Sequence, residues 1–227
     1  MIGADQVADA GRVRVLIADD EALIRAGVRA VLDTDPRIAV VAEVADGHGA
    51  IEQTRRHRPQ VLLLDLQLPD LDGISAAVEI ARQVPETKIV VLTTFGADDN
   101  IRRALTAGVV GFVLKASDPR ELIMAVHAAA DGAAYLSPRV AERVIARFRS
   151  TAGDGRAAAD RVGRLTRRER EVLALLSDGS SNAEIGRRLH LVEGTVKAHV
   201  SAILIKLEVA NRVQAALLGY EAGLTRR

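Results

Sequence analysis

Asp19, Asp20, Asp65, Thr93 and Lys115 offer three carboxylates, a hydroxyl and an ammonium group. Paired acids such as Asp19 and Asp20 suit a hard divalent cation, Mg²⁺ above all, which takes a few protein oxygens plus water and phosphate. A third carboxylate beside that cation can act as a nucleophile and form an aspartyl phosphate. The phosphoryl oxygens then need positive charge and hydrogen-bond donors, which the Lys115 ammonium and the Thr93 hydroxyl would supply beside the cation. Taken singly, an acid at such a position is more often a helix cap or a solvated charge. The co-occurrence of five such groups changes that balance.

Each of these residues closes a short apolar run. Asp19 and Asp20 follow Val13–Ala18, Asp65 follows Val61–Leu64, Thr93 follows Ile89–Leu92 and Lys115 follows Gly111–Leu114. Such runs between helical segments read as buried parallel strands. In an open α/β sheet, ligands bind outside the carboxyl ends of the strands. Strands are expected near 13–18, 39–45, 61–64, 89–93 and 111–114, with helices near 21–33, 48–57, 73–83, 98–107 and 118–131. Five βα units predict a doubly wound sheet of order 2-1-3-4-5. Asp65 is the expected nucleophile, since it ends the central strand and precedes the Pro69-to-Gly73 turn. Asp19 and Asp20 are the expected metal carboxylates.

The 227 residues suit one large domain or two ordinary ones, and 48% hydrophobic with 27% charged residues is a globular composition. Aromatic residues make up only 2%, so aliphatic side chains must build the cores. The absence of cysteine excludes disulfides and thiolate metal sites. No segment approaches the roughly 20 apolar residues of a membrane span, and no signal-peptide pattern opens the chain. A cytoplasmic location is expected. The formal charge of +1 conceals an asymmetry: residues 164–227 carry 11 Lys/Arg against 7 Asp/Glu, and the remainder is net acidic. Two parts with different partners follow from that split.

Beyond residue 132 the pattern changes. Ser137-Pro138 resembles an N-cap and first turn, giving a linker helix from about Pro138 to Phe148. Residues 150–163 show no apolar periodicity and read as a flexible tether. Thr166 and Glu169 then form a capping box for a helix to about Ser177. Ser181 or Asn182 caps a second helix to about Leu189, a third runs from Gly194 to Lys206, and a fourth from about Arg212 to Tyr220. Two helices joined by a four-residue turn make a helix-turn-helix, whose second member enters the DNA major groove. Val196, Val200, Ile203 and Leu207 share one face and should pack on Val172, Leu175, Leu176, Ile185 and Leu189.

Asp19-Asp20, Leu64-Asp65-Leu66-Gln67-Leu68-Pro69-Asp70-Leu71-Asp72-Gly73, Thr93-Thr94 and Leu114-Lys115 resemble the motifs of response-regulator receiver domains over residues 13–131. The resemblance implies phosphorylation of Asp65 by a histidine kinase. It gives Thr93 the role of switch hydroxyl, Phe112 that of switch aromatic, and the Gln67 carbonyl a place with Asp19, Asp20 and Asp65 around Mg²⁺. The family often has proline after the lysine, where this chain has Ala116. Haloacid-dehalogenase-like phosphatases also use an aspartate nucleophile, but need a general acid two residues later. Gln67 stands there instead, so the chain is read as a self-modified switch and not as an enzyme. A receiver-like module that assembles with partners without phosphorylation is the other alternative, and the complete acidic edge argues against it.

The runs 165–173, 181–186, 193–200 and 203–207 resemble LuxR-type (NarL/FixJ-type) helix-turn-helix domains. Helical spacing and the family pattern make Lys197, Ala198 and Ser201 base-reading candidates, and Thr195, His199, Lys206 and Asn182 phosphate-contact candidates. Val192 occupies a position where relatives often have Ser or Thr as an N-cap. A four-helix protein-interaction module is the plainer alternative for this segment. The expected whole is a flavodoxin-like (βα)5 receiver (11–132), a linker (133–163) and an all-α four-helix DNA-binding domain (164–227). Its expected partners are double-stranded DNA, a cognate sensor kinase and, on activation, a second copy, with no membrane. Val213, Ala216, Leu217 and Tyr220 are candidates for the dimer contact on DNA.

Overall fold

The computed structural model describes residues 11–94, 98–137, 140 and 155–224, and divides into two compact units. In the first, strands and helices alternate: β1 (Val13–Ala18), α1 (Ala22–Leu32), β2 (Ile38–Val44), α2 (Gly47–His57), β3 (Val61–Asp65), α3 (Gly73–Gln83), β4 (Lys88–Thr93), α4 (Asp98–Thr106), β5 (Gly111–Leu114), α5 (Pro119–Ala130) and β6 (Tyr135–Leu136). The sheet is parallel, with order β2-β1-β3-β4-β5-β6. Every residue of β3 is buried, because helices cover both faces of the sheet. Val15, Ile17, Val61, Leu63, Val90, Leu92 and Val113 form one core with Leu32 of α1 and Leu122, Ala125, Val126 and Ala129 of α5. The alternate residues Leu16, Leu62 and Leu64 are equally buried on the opposite face.

The expected five-strand order is present, with one addition. Tyr135 and Leu136 pair with Gly111 and Phe112 as a sixth strand, and the Ser137 N–H donates to the Phe112 carbonyl at 3.0 Å. Two residues are too short a run to show a strand period, so only the pairing itself reveals β6.

The second unit contains α6 (Gly155–Gly163), α7 (Arg167–Ser177), α8 (Asn182–Leu189), α9 (Glu193–Lys206) and α10 (Arg212–Glu221). The expected tether is corrected over 155–163, where the chain is helical. Ala158 and Val162 join Leu165, Val172, Leu173, Leu176, Ile185, Val196, Ile203 and Leu207 in one core. Alanine is the strongest helix former and carries little hydrophobic signal, which explains why this segment reads as featureless. The expected linker helix from Pro138 to Phe148 lies outside the described residues, apart from Val140.

The boundaries of the helix-turn-helix follow local chemistry. Thr166–Glu169 and Ser181–Glu184 both close reciprocal capping boxes. His190 ends α8 in the left-handed conformation at φ 54°, and the Leu191 N–H donates back to the Gly186 carbonyl at 2.9 Å. A Cβ at Gly186 would lie 2.7 Å from the Leu191 oxygen, so this tight turn requires glycine. Val192 gives α9 no side-chain cap, and its side chain is 74% exposed.

Candidate functional site

Strand register brings the acidic edge together. Ala18 pairs with Leu64, Asp65 with Leu92 and Thr93 with Leu114, so β1, β3, β4 and β5 end at one level. Asp19 follows β1 directly and is fully buried, its N–H bonded to the Val44 carbonyl at 3.2 Å. The Lys115 N–H bonds to the Thr93 carbonyl at 2.8 Å, which fixes the hydroxyl-bearing residue beside the lysine.

Lys115 is the hub. Its Nζ lies 2.8 Å from Asp65 Oδ2, 2.9 Å from Asp19 Oδ2 and 3.0 Å from Glu21 Oε1, and only 7% of its side chain is exposed. Burial works to lower this ammonium's pKa, but the bonds to Asp65, Asp19 and Glu21 outweigh it and raise it above the usual lysine range. Asp19 shows the reverse balance. Burial raises its carboxyl above the usual value, and Lys115 and the Glu21 N–H only partly offset this.

Asp65 Oδ1 accepts from the Gln67 N–H at 3.1 Å, while its Oδ2 takes the lysine. The following loop is held close by Gly73, whose N–H donates to the Leu66 carbonyl at 3.1 Å. Asp72 caps α3 by accepting from the Ile74 and Ser75 N–H groups. The Thr93 hydroxyl donates to the neighbouring Thr94 carbonyl at 3.0 Å, and Phe112 is completely buried in β5. No cis peptide occurs among the described residues.

Three carboxylates, those of Asp65, Asp19 and Glu21, thus meet one ammonium, so acidic groups outnumber the base. Asp19, Asp20 and Glu21 have oxygens within 4.8 Å of one another. Asp19 Oδ2 is buried with no directed hydrogen bond, its contact with Lys115 being an ion pair by distance. A hard oxygen donor set in which carboxylates outnumber ammonium groups fits a divalent cation. Glu21 is the residue that sequence reasoning missed. The unbroken run Asp19-Asp20-Glu21 was its available signal.

On α9, the exposed face carries Lys197, Ala198 and Ser201. Lys197 pairs with Glu193 at 2.8 Å, an exposed contact that a nucleic acid can displace at little cost. The Ser201 hydroxyl donates to the Lys197 carbonyl at 3.0 Å. Thr195 and His199 are half-buried. The core face is as expected: Val196, Ile203 and Leu207 are buried against Val172, Leu176 and Ile185, with Leu175, Leu189 and Val200 packed around them. On α10, Val213 is buried, Ala216 and Leu217 are half-buried and Tyr220 is 44% exposed.

Two of the expected phosphate contacts have partners inside the unit. Asn182 is buried, and its side-chain oxygen accepts from Arg212 Nη1 at 3.3 Å. Arg212 also donates to the Ser180 carbonyl at 2.8 Å, and burial pushes its pKa down to about 10. Lys206 meets both oxygens of Glu169 at 2.7 and 2.8 Å. Burial would raise the Glu169 carboxyl, but the bonds from Lys206 and from the Thr166 N–H hold it below its usual range.

Comparison with known families agrees with this geometry. Residues 15–127 match the response regulator receiver domain, and residues 163–218 match the bacterial regulatory proteins of the luxR family. The chain is 38% identical over 208 residues to the transcriptional regulatory protein LiaR of Bacillus subtilis, covering 92% of this chain and 97% of that one. It is 34% identical over 223 residues to the transcriptional regulatory protein DegU of Brevibacillus brevis, covering 93% and 94%. The chain belongs to the LuxR-type response regulators.

A solved relative, a structure of two RcsB dimers bound to two parallel DNAs, aligns with a TM-score of 0.55 and 28% identity over 92% of this chain and 97% of that one. As a LuxR-type response regulator, this chain is a two-component transcription regulator with a DNA-binding domain. No helix among its described residues is long and apolar enough to cross a membrane.

Proposed function

We propose that this response regulator is switched by phosphorylation of Asp65, and that the switch controls DNA binding by α9. One observation carries the reading: Lys115 Nζ stands within 3.0 Å of Asp65, Asp19 and Glu21 at the end of β5. That arrangement holds an ammonium against the carboxylate that would carry the phosphoryl group.

Asp19, Asp20, Asp65 and the Gln67 carbonyl would hold Mg²⁺, with Glu21 at the rim of the same cluster. The bound cation would offset negative charge on the incoming phosphoryl oxygens. Asp65 attacks the phosphorus of a phosphohistidine, or of a small acyl phosphate, and the leaving group departs with the electron pair of the broken bond. Lys115 then exchanges its contact with the Asp65 carboxylate for one with the phosphoryl group. The Thr93 hydroxyl turns from the Thr94 carbonyl toward the new oxygens, and Phe112 adjusts within β5. β6 is hydrogen-bonded to Phe112, so a shift of β5 acts directly on the chain that leaves the sheet.

For DNA, Lys197, Ala198 and Ser201 are the proposed base-reading set, and Thr195 and His199 the proposed phosphate contacts. The side chains of Asn182 and Lys206 have other work. The dimers on DNA of the relative RcsB support two copies of this chain on adjacent half-sites, about one helical turn apart. Its place of action would be the cytoplasm, where the DNA and a histidine kinase domain are both accessible.

Incubation with acetyl phosphate and Mg²⁺ should add one phosphoryl group, located by peptide mapping to Asp65. Full labelling in chelator would remove the metal assignment, and a labelled Asp65→Asn variant would move the site elsewhere.

A further inference from the structure

Lys206 and Glu169 form a contact whose geometry is unlike that of a DNA-facing lysine. Glu169 is at the third position of α7, with 7% of its side chain exposed. Its Oε2 accepts from the Thr166 N–H at 2.8 Å, which closes the capping box. Both of its oxygens also meet Lys206 Nζ, at 2.7 and 2.8 Å. One carboxylate therefore joins the N-terminus of α7 to the last residue of α9.

Position around the helix agrees. Lys206 is nine residues beyond Lys197, which places it roughly half a turn, about 180°, from that side chain. Ser201 and Ala198 lie with Lys197, so Lys206 is on the flank between the DNA-facing side and the core side. The ammonium, 39% of whose side chain is exposed, is committed to both oxygens of a buried carboxylate, and leaving them for a phosphate would strand that carboxylate without a counter-charge.

We infer that Glu169 is a positioning residue for DNA recognition, acting through Lys206 as a clamp that sets the angle of α9 against α7, and that Lys206 is not a phosphate ligand. The two ends of α9 then differ in kind. Its N-terminal end, with Val192 as an uncapped start, is held by the Gly186 turn, and its C-terminal end is held by charge. Apolar packing of Ile203 and Leu207 fixes depth, but permits small rotations that would move Lys197 and Ser201 across the groove. This inference rests on the DNA-binding assignment of the family and is independent of the phosphorylation reading.

The test uses the full chain with Glu169→Gln, Lys206→Met, the double variant and Lys206→Arg. Glutamine keeps the acceptor that caps Thr166 and removes the charge and the second acceptor that meet Lys206. Binding is measured over a range of salt to two duplexes: one selected from a random library by the wild-type chain, and one of scrambled sequence. Glu169→Gln and Lys206→Met should each weaken the selected duplex about tenfold, and the double variant no further, as expected for one coupled unit. The scrambled duplex and the salt slope should be unchanged, and Lys206→Arg, which can still meet both oxygens, should retain recognition.

A flattening of the salt slope by about 0.9 in Lys206→Met would make Lys206 a phosphate ligand and overturn the inference. So would tighter binding by Glu169→Gln, or no change in it. Equal losses on both duplexes, in step with a lowered unfolding temperature, would reduce the pair to plain stability and overturn it too.

Discussion

Substituting Gly73 by alanine should damage the acidic edge more than it damages the fold. A Cβ built at Gly73 would fall 2.1 Å from the Asp65 carbonyl oxygen and 2.7 Å from Leu66 Cα, whereas ordinary contact begins near 3.4 Å. Both obstacles are backbone, so no side chain can swing aside, and the loop after Asp65 must move by roughly 1 Å. Overpacking of this kind costs about 1–3 kcal/mol. The gain in helix propensity at the start of α3 returns at most about 1 kcal/mol. The net loss, about 1–2 kcal/mol, should lower the unfolding temperature of the first unit by several degrees. The functional loss should be larger, because the displaced segment carries the Asp65 carboxylate and the Gln67 N–H and carbonyl. A misplacement of about 1 Å can cost about 100-fold in rate. Stopped-flow measurement of acetyl-phosphate labelling, with thermal unfolding of the same sample, reads both effects. Wild-type labelling rate and stability in Gly73→Ala would show that the loop after Asp65 tolerates a Cβ at this position.

Other perturbations should act in different directions. Gly27→Ala, within α1 where a Cβ meets nothing within 4 Å, should raise stability by about 0.5–1 kcal/mol in denaturant unfolding. Val192→Thr places a hydroxyl at an extended N-cap (φ −73°, ψ 148°) and should stabilise α9 by about 0.5–1 kcal/mol, read by calorimetry. The Glu169 carboxyl is held below its usual 4.5, so its contribution to stability is complete above pH 4.5 and is lost as pH falls through the folded value. Acid unfolding curves should therefore steepen below pH 4.5 in the wild type and be flatter in Glu169→Gln. Lys197→Ala should weaken specific DNA binding by about 1–3 kcal/mol, and unchanged affinity at several salt concentrations would remove it from the interface.

The acidic edge was readable because its residues end strands buried on both faces. Val61–Leu64 is apolar throughout, so the chain announces where Asp65 must emerge. The helix-turn-helix was readable because Thr166–Glu169, the four-residue turn after Leu189 and the Val196–Leu207 face are all local patterns. What escaped depended on distant partners. β6 exists only through pairing with Gly111 and Phe112, and α6 only through the seat of Ala158 and Val162 in the core of the second unit. Lys206 and Asn182 have the residue types and spacing of DNA contacts, and only the positions of Glu169 and Arg212 reveal what those side chains are bonded to. Glu21 has no strand-end position of its own, and only its distance from Lys115 Nζ reveals it.

In the proposed switch, chemistry at Asp65 governs DNA binding by α9. Its most direct test is the affinity of the full chain for its selected duplex, measured with and without acetyl phosphate and Mg²⁺, in the wild type and in Asp65→Asn. Tighter binding after treatment in the wild type alone is the predicted result. Equal affinity before and after modification of Asp65, or the same tightening in Asp65→Asn, would contradict it.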